Sequence, residues 1–309
     1  MTAEIEPTAN TPWVRVRATV EALVRPTSER ERERRRIVAL CLPFLTLLSV
    51  SGIVPLAEML RMSVSEKRLV TAGFTLFHYE QLVTDPYYRT IAFNTLWFAV
   101  ATTVASVAVA IPVAHALEKY ELPGKPILLT VLSFPNSLPG IVAAFMIIVL
   151  LGNTGIVTNV FAVLSGRAPT ELATATGVAG LFFAYLYSMI PRALLLLRGT
   201  YAEVNTDAEE AARSLGATPF ETFRYVTFQQ IKPGVIGAVI LVFRTALAIF
   251  GTILILKSLL VWTLQINREL GAGNGFNIAG ASAMATVWFA CVFGFTLLAI
   301  RYTSAEVSI

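Results

Sequence analysis

Apolar runs of about twenty residues recur along this chain of 309 residues, and no other feature restricts its possible folds as strongly. A helix rising ~1.5 Å per residue needs ~20 residues to cross ~30 Å of hydrocarbon. Six runs reach that length: Ile37–Leu60, Ala92–Leu117, Ile127–Leu151, Gly177–Leu197, Gly234–Leu256 and Ser282–Ile300. Lipid offers no partner for a free backbone N–H or C=O, so such segments must satisfy their own hydrogen bonds as helices. The expected fold class is therefore all-α, a polytopic membrane protein with six transmembrane helices. Only 14% of the residues are charged, against about a quarter in soluble domains, which excludes a soluble enzyme. Cys41 and Cys291 both lie within apolar runs, so neither a disulfide framework nor a cysteine zinc site is available. With only His78 and His115, a histidine-rich metal site is disfavoured, and no metal ligand is expected.

Charge placement sets the orientation, because segments on the cytoplasmic side carry the excess of lysine and arginine. With the N-terminus inside, fifteen basic residues fall on the cytoplasmic side and seven outside, while Arg192 and Arg244 sit within spans. Both termini are expected in the cytoplasm. The chain then divides into a basic tail over 1–36, a transmembrane domain over 37–302 and a short tail over 303–309. The run Glu29–Arg36 alternates acid with base and ends in three arginines, a stop before the first span that also attracts anionic lipid. It gives no reason to expect nucleic acid. Trp13, Val14, Val20, Leu23 and Val24 fit a short interfacial helix or a disordered tail equally well.

The most informative segment lies between spans four and five and reads as a hairpin of two short helices over 206–231. Thr206-Asp207-Ala208-Glu209 fits a capping box, and Ala208, Ala211, Ala212 and Leu215 follow at the spacing of one helical face. Gly216 stands where a left-handed C-cap is wanted. Thr218-Pro219-Phe220-Glu221 is a second capping box with proline at the first helical position. Phe220, Phe223 and Val226 form the stripe of the second helix, and Lys232-Pro233-Gly234 is expected to end it. Spacing alone leaves two readings open: the apolar faces pack back on the protein's own helix ends, or the phenylalanines fill a groove on a soluble partner.

The stretch Glu210-Ala211-Ala212-Arg213-Ser214-Leu215-Gly216-Ala217, continuing through Phe223, Val226 and Lys232-Pro233-Gly234, resembles the EAA loop of permease subunits of binding-protein-dependent type I ABC importers. Asn94-Thr95-Leu96, Ala110-Ile111-Pro112-Val113-Ala114, Pro135 to Gly155 and Ile190-Pro191-Arg192 are also similar to that family, so the resemblance extends from about Phe77 to about Tyr302. It implies that Glu210, Ala211, Ala212, Gly216, Phe220 and Phe223 couple the chain to an ATPase. It further implies an ABC ATPase dimer that uses ATP and Mg, a second permease, identical or related, and an external solute-binding protein. The location implied is the cytoplasmic (inner) membrane of a bacterium or archaeon. The middle spans look most like permeases of the sulfate, thiamine, iron(III), polyamine and aminophosphonate group. One departure stands out: Phe228-Gln229 occupies the place of the family's Leu-Pro, so the second helix is expected to run to about Ile231 before Pro233.

The chain itself has no G-x-x-x-x-G-K-[ST] phosphate loop, since Gly124-Lys125 is followed by Pro126. It is therefore expected to be a non-catalytic subunit that binds no cofactor. For the translocation path the candidates are Asn136 and Ser137, beside Pro135, Pro139 and Gly140, and Arg244 within span five. Proline breaks free backbone groups that need polar partners. An arginine at a helix centre costs about 2.5–3.5 kcal/mol on insertion scales, so Arg244 is expected either to face the bundle interior, meeting an anionic substrate or pairing with a buried acid, or to hydrogen-bond within the chain or between subunits without touching a ligand. Pro191 is expected to interrupt span four. The competing class is a self-contained secondary transporter or channel, which explains six spans but not a doubly capped hairpin.

Overall fold

The computed structural model describes residues 29–66, 73–271 and 276–307. The tail expected over 1–36 lies mostly outside the described residues, as do Lys67, Arg68 and most of the glycine-rich Gly271–Gly275 segment. Among the described residues every regular element is helical, and six helices are long and apolar enough to cross a membrane. The chain divides into two compact units, residues 1–58 and 59–309.

In the first unit, α1 (Glu29–Leu48) passes through a π turn at Ser49–Ile53 toward α2 (Val54–Ser63). The hydroxyls of Ser49 and Ser51 donate to the carbonyls of Leu45 and Leu47, four residues back. Such back-bonding competes with the helical ladder and accounts for a locally widened turn. The exposed side chains from Ile37 to Leu48 are almost all apolar, as a lipid-facing helix requires.

The second unit continues with α3 (Phe77–Thr84), α4 (Pro86–Lys119), α5 (Lys125–Ser133), a 3₁₀ turn at Phe134–Ser137, α6 (Gly140–Leu151), α7 (Ile156–Ser165) and the single turn α8 (Pro169–Leu172). After them come α9 (Val178–Tyr201), α10 (Thr206–Ser214), α11 (Pro219–Thr222), α12 (Phe228–Ala248), α13 (Gly251–Leu256), α14 (Trp262–Glu269) and α15 (Ile278–Val307). The central helix is α9, which packs on α4, α6 and α12. Its contact faces are built from small residues: Ala184 and Ala193 are fully buried, as are Ala110 and Ala114 of α4 and Ala238 of α12. Small side chains let helix backbones approach closely, which replaces the hydrophobic drive that lipid does not supply. Tyr185 fills the middle of the core, edge-on to Phe98 at 5.0 Å between centroids.

Several boundaries differ from the sequence expectation. The third span starts at Gly140 rather than Ile127 and extends through α7 to Ser165, because the 3₁₀ turn and Pro139 interrupt the apolar run. The fifth, expected over 234–256, breaks at Ile249-Phe250 into α12 and α13. Pro191 does not interrupt α9; it is buried within a continuous helix. Pro233 likewise lies inside α12, so Lys232-Pro233-Gly234 does not end the second hairpin helix. Instead α11, a π turn at Phe223–Thr227 and α12 run on as one rod into the fifth span. The π turn absorbs an extra residue without breaking the helix.

The two breaks meet. Thr252 Oγ1 donates to Gly140 O at 3.0 Å, tying the start of α6 to the start of α13. A Cβ on Gly140 would lie 2.8 Å from that hydroxyl oxygen, and one on Gly251 would lie 3.1 Å from Ile141 Cγ1 and 3.3 Å from Ile141 N. Glycine fits both places with the least crowding because the chains pass close to one another there. At the end of the bundle where α4 begins, α14 is pinned across the helices: Trp262 N donates to Thr95 Oγ1 at 2.9 Å and its indole N–H to Met284 O at 2.9 Å. Its ring stacks on Trp288.

Candidate functional site: the helical hairpin and its base

The hairpin stands where α4 ends. Its first helix is capped by Asn205, whose Oδ1 accepts from Asp207 N at 2.9 Å and Ala208 N at 3.4 Å. This corrects the expected Thr206–Glu209 capping box: an asparagine one residue earlier takes the role, and Glu209 is released for another. The turn ends as a Schellman motif, with Ala217 N donating to Ala212 O at 3.1 Å and Gly216 N to Arg213 O at 2.9 Å. Gly216 has φ +91°, and a Cβ there would meet nothing within 4 Å. Backbone conformation, not crowding, therefore selects glycine. The second capping box is present: Thr218 Oγ1 accepts from Glu221 N at 3.3 Å, and Glu221 Oε2 accepts from Thr218 N at 2.8 Å.

The sequence-predicted residues separate by environment. Glu210, Ala211 and Gly216 are exposed and Ala212 is half-buried. Leu215 is 90% exposed, the most of any large apolar side chain among the described residues, and Phe220 69%. Phe223 turns the other way, meeting the His115 ring edge-on at 4.9 Å and the Phe228 ring at 6.2 Å. The first of the two readings left open by spacing holds for Phe223, which packs on the protein's own helices, whereas Leu215 and Phe220 do not pack there.

Sequence reasoning missed the residue that fixes the hairpin. Glu209 is 6% exposed, and its carboxylate accepts from Lys119 Nζ at 2.6 Å and from Thr227 Oγ1 at 2.5 Å. One side chain of α10 thus holds the last residue of α4 and the π turn ahead of α12. Burial alone raises the pKa of this carboxyl, but the Lys119 ammonium and the Thr227 hydroxyl outweigh it and hold the group below its ordinary value. Beside it, Glu118 accepts from Arg198 Nε at 2.5 Å and Lys125 Nζ at 3.3 Å, joining the ends of α4 and α9 to the start of α5. Asn205 N donates to Gln230 Oε1 at 2.8 Å, and the Tyr201 hydroxyl lies 3.4 Å from His115 Nδ1. No local signal marks Glu209, because its partner stands 90 residues away.

The path candidates are more dispersed. Asn136 and Ser137 are both exposed in the 3₁₀ turn, and Ser137 lines a shallow cavity of about 420 Å³ with Thr130 and Ser133. Contrary to the expectation, Arg244 does not face the interior of this chain's own bundle; it is exposed on α12. It lines a depression of about 370 Å³ with Leu241 and with Thr296 and Ile300 of α15. No acid among the described residues pairs with it. Arg192 is half-buried and donates to Ser188 O and Oγ at 2.7 and 2.6 Å, an internal solution for a charge in a span.

Comparison with known proteins places this architecture. A thiamine transport system permease protein of Brucella abortus (strain 2308) is 30% identical over 173 residues, 56% of this chain and 31% of that protein. A sulfate transport system permease protein of Synechocystis is 29% identical over 188 residues, 61% of this chain and 64% of that one. The chain thus spans between about a third and two thirds of the length of these curated relatives. A bacterial ABC transporter involved in the import of the acidic polysaccharide alginate has the same fold, with a TM-score of 0.71 at 16% identity over 87% of this chain and 96% of that one. An inward-facing methionine ABC transporter matches with a TM-score of 0.51 at 18% identity, covering 72% and 99%. Residues 106–304 match the family described as binding-protein-dependent transport system inner membrane component, and they contain the hairpin, its base and both helix breaks. The chain belongs to that family.

Proposed function

We propose that this chain is the transmembrane permease subunit of an ATP-driven importer, forming the path for a small polar solute delivered by an external binding protein. The observation that carries this reading is the hairpin: a twice-capped rigid element whose tip presents Leu215 and Phe220 to solvent while Glu209 fixes its base to α4 and α12. Exposed apolar anchors on a rigid support are what a groove on a soluble partner selects. An ATPase dimer on the cytoplasmic side is that partner. Its closure on ATP and Mg moves the hairpin, and the rod formed by α11, the π turn and α12 carries the movement into the membrane, shifting a two-state equilibrium of the path. Glu210, Ala211, Ala212 and Gly216 form the hairpin surface and turn that take up this motion. Phe223 transmits it internally through His115. The excess of lysine and arginine on one side supports a cytoplasmic location for both termini and the hairpin, and the family supports the inner membrane of a bacterium or archaeon.

A second permease, identical or related, completes the path. Arg244 supports this: an exposed arginine within a span costs about 2.5–3.5 kcal/mol unless it meets a polar partner, and the described residues of this chain supply none. Asn136 and Ser137, beside the first break, line the same route. In the assembled importer Arg244→Gln is expected to lower uptake without lowering the amount of complex in the membrane, and unchanged uptake removes Arg244 from the path.

The reading as a whole is tested by purifying the tagged chain in mild detergent from its native cell and identifying what accompanies it by mass spectrometry. A stoichiometric ATPase is the expected companion. A homogeneous preparation without one, still moving solute in vesicles without ATP, establishes the secondary transporter instead.

A further inference from the structure

At the end of the bundle opposite the hairpin, the second unit encloses a cavity of about 590 Å³ between α3 and the ends of α4, α14 and α15. Glu66, His78, Gln81, Tyr88, Glu269 and Asn277 line it. Glu269 is only 8% exposed. Its carboxylate accepts from Gln265 Nε2 at 2.8 Å, from the Tyr88 hydroxyl at 3.4 Å and from Asn277 Nδ2 at 3.3 Å. Each of these donors is neutral. They satisfy lone pairs but leave a negative charge that no lysine or arginine among the described residues of the lining offsets. A second carboxylate, the exposed Glu66, adds to that potential.

A buried charge retained without a counter-ion is costly, and a cation entering such a cavity recovers much of the cost. Two further facts narrow the cation. Among the described residues no group of three or more His, Cys, Asp or Glu can hold a metal ion, whereas calcium takes about 6–8 oxygen ligands. The volume also exceeds by more than tenfold the ~30 Å³ share of one water, room for an extended side chain with its hydration.

We propose that this cavity receives a basic side chain, lysine or arginine, of the external binding protein as it docks. This rests on the importer reading and adds the chemistry of the docking contact. The carboxylate of Glu269 accepts from the incoming ammonium or guanidinium, Glu66 at the exposed edge attracts it, and Gln81 offers an amide oxygen to the remaining donors. Attraction of this kind raises the encounter rate and fixes register.

The test uses the whole complex in proteoliposomes with the binding protein that co-purifies with it. Glu269→Gln is expected to raise the binding-protein concentration for half-maximal stimulation of ATP hydrolysis about tenfold, and the wild-type value to rise with salt. Glu66→Gln, on an exposed residue whose loss does not threaten folding, is expected to raise it two- to threefold. Carbodiimide treatment of the docked complex is expected to join Glu269 or Glu66 to a lysine of the binding protein, when lysine is the docked residue, as an amide identified by mass spectrometry. Half-stimulating concentrations unchanged in both variants overturn the proposal while leaving the importer reading intact. So does a Glu269-dependent response to n-butylammonium or calcium with no change toward the binding protein. A wild-type complex that no binding protein stimulates removes the importer reading itself.

Discussion

Replacing Glu209 is expected to loosen the hairpin from the bundle, and the structure sets the size of the effect. The carboxylate makes two bonds, to Lys119 at 2.6 Å and Thr227 at 2.5 Å, and bonds to charged groups contribute about 1.5–3 kcal/mol each. Breaking a fully buried ion pair costs about 3–5 kcal/mol because it strands the other charge. Lys119 is not fully stranded here: its side chain keeps 16% exposure and can turn to water. Glu209→Ala is therefore expected to cost about 2–3 kcal/mol, whereas Glu210→Ala, one residue along and exposed, stays within ~0.5 kcal/mol. A double-mutant cycle with Lys119→Met isolates the pair, with an expected coupling of about 1–2 kcal/mol. Thermal unfolding of the purified protein in detergent, followed by tryptophan fluorescence, reads the stability; the ratio of solute moved to ATP hydrolysed in vesicles reads the coupling. Equal effects of the two alanine substitutions, or a coupling energy near zero, refute the clamp.

Acid sensitivity follows from the same group. The Glu209 carboxyl is held below its ordinary 4.5, so its contribution is complete above that pH and is lost as pH falls through the folded-state value; wild type should converge on Glu209→Gln in thermal midpoints measured from pH 7 down to 3. At Gly216 the strain of a left-handed residue with a Cβ is about 1–2 kcal/mol. Since a Cβ there meets no atom within 4 Å, destabilisation should increase in the order Asn, Ala, Val, and equal midpoints contradict a conformational role. Gly251→Ala should cost about 1–3 kcal/mol by crowding Ile141, while Gly199→Ala, in the helix α9 with open space around it, should stabilise by about 0.5–1 kcal/mol; the same unfolding assay compares them.

The six spans and the hairpin were legible because each depends on local pattern: apolar length for the spans, cap residues and a left-handed glycine for the turn. Prolines misled where tertiary packing overrides their local effect. Pro191 and Pro233 sit inside continuous helices, while the break at Ile249-Phe250 has no proline and is stabilised by contact with Gly140. Glu209 was read as part of a local capping box, yet its carboxylate faces inward, where Lys119 and Thr227 donate to it. Pairing across 90 residues leaves no mark on a local window. Phe220 and Phe223 share a stripe by spacing, but His115 and Phe228 supply rings for the second and the first stays 69% exposed.

That division of the stripe is open to direct measurement. With Cys41 and Cys291 replaced, single cysteines at positions 215, 220 and 223 can be tested for cross-linking to the ATPase that co-purifies with the chain. Leu215→Cys and Phe220→Cys should cross-link efficiently, and differently with and without ATP, while Phe223→Cys, half-buried and turned toward His115 and Phe228, should cross-link far less. Cross-linking through position 223 with none through 215 or 220 contradicts the docking surface and, with it, the route by which the hairpin passes motion to the membrane.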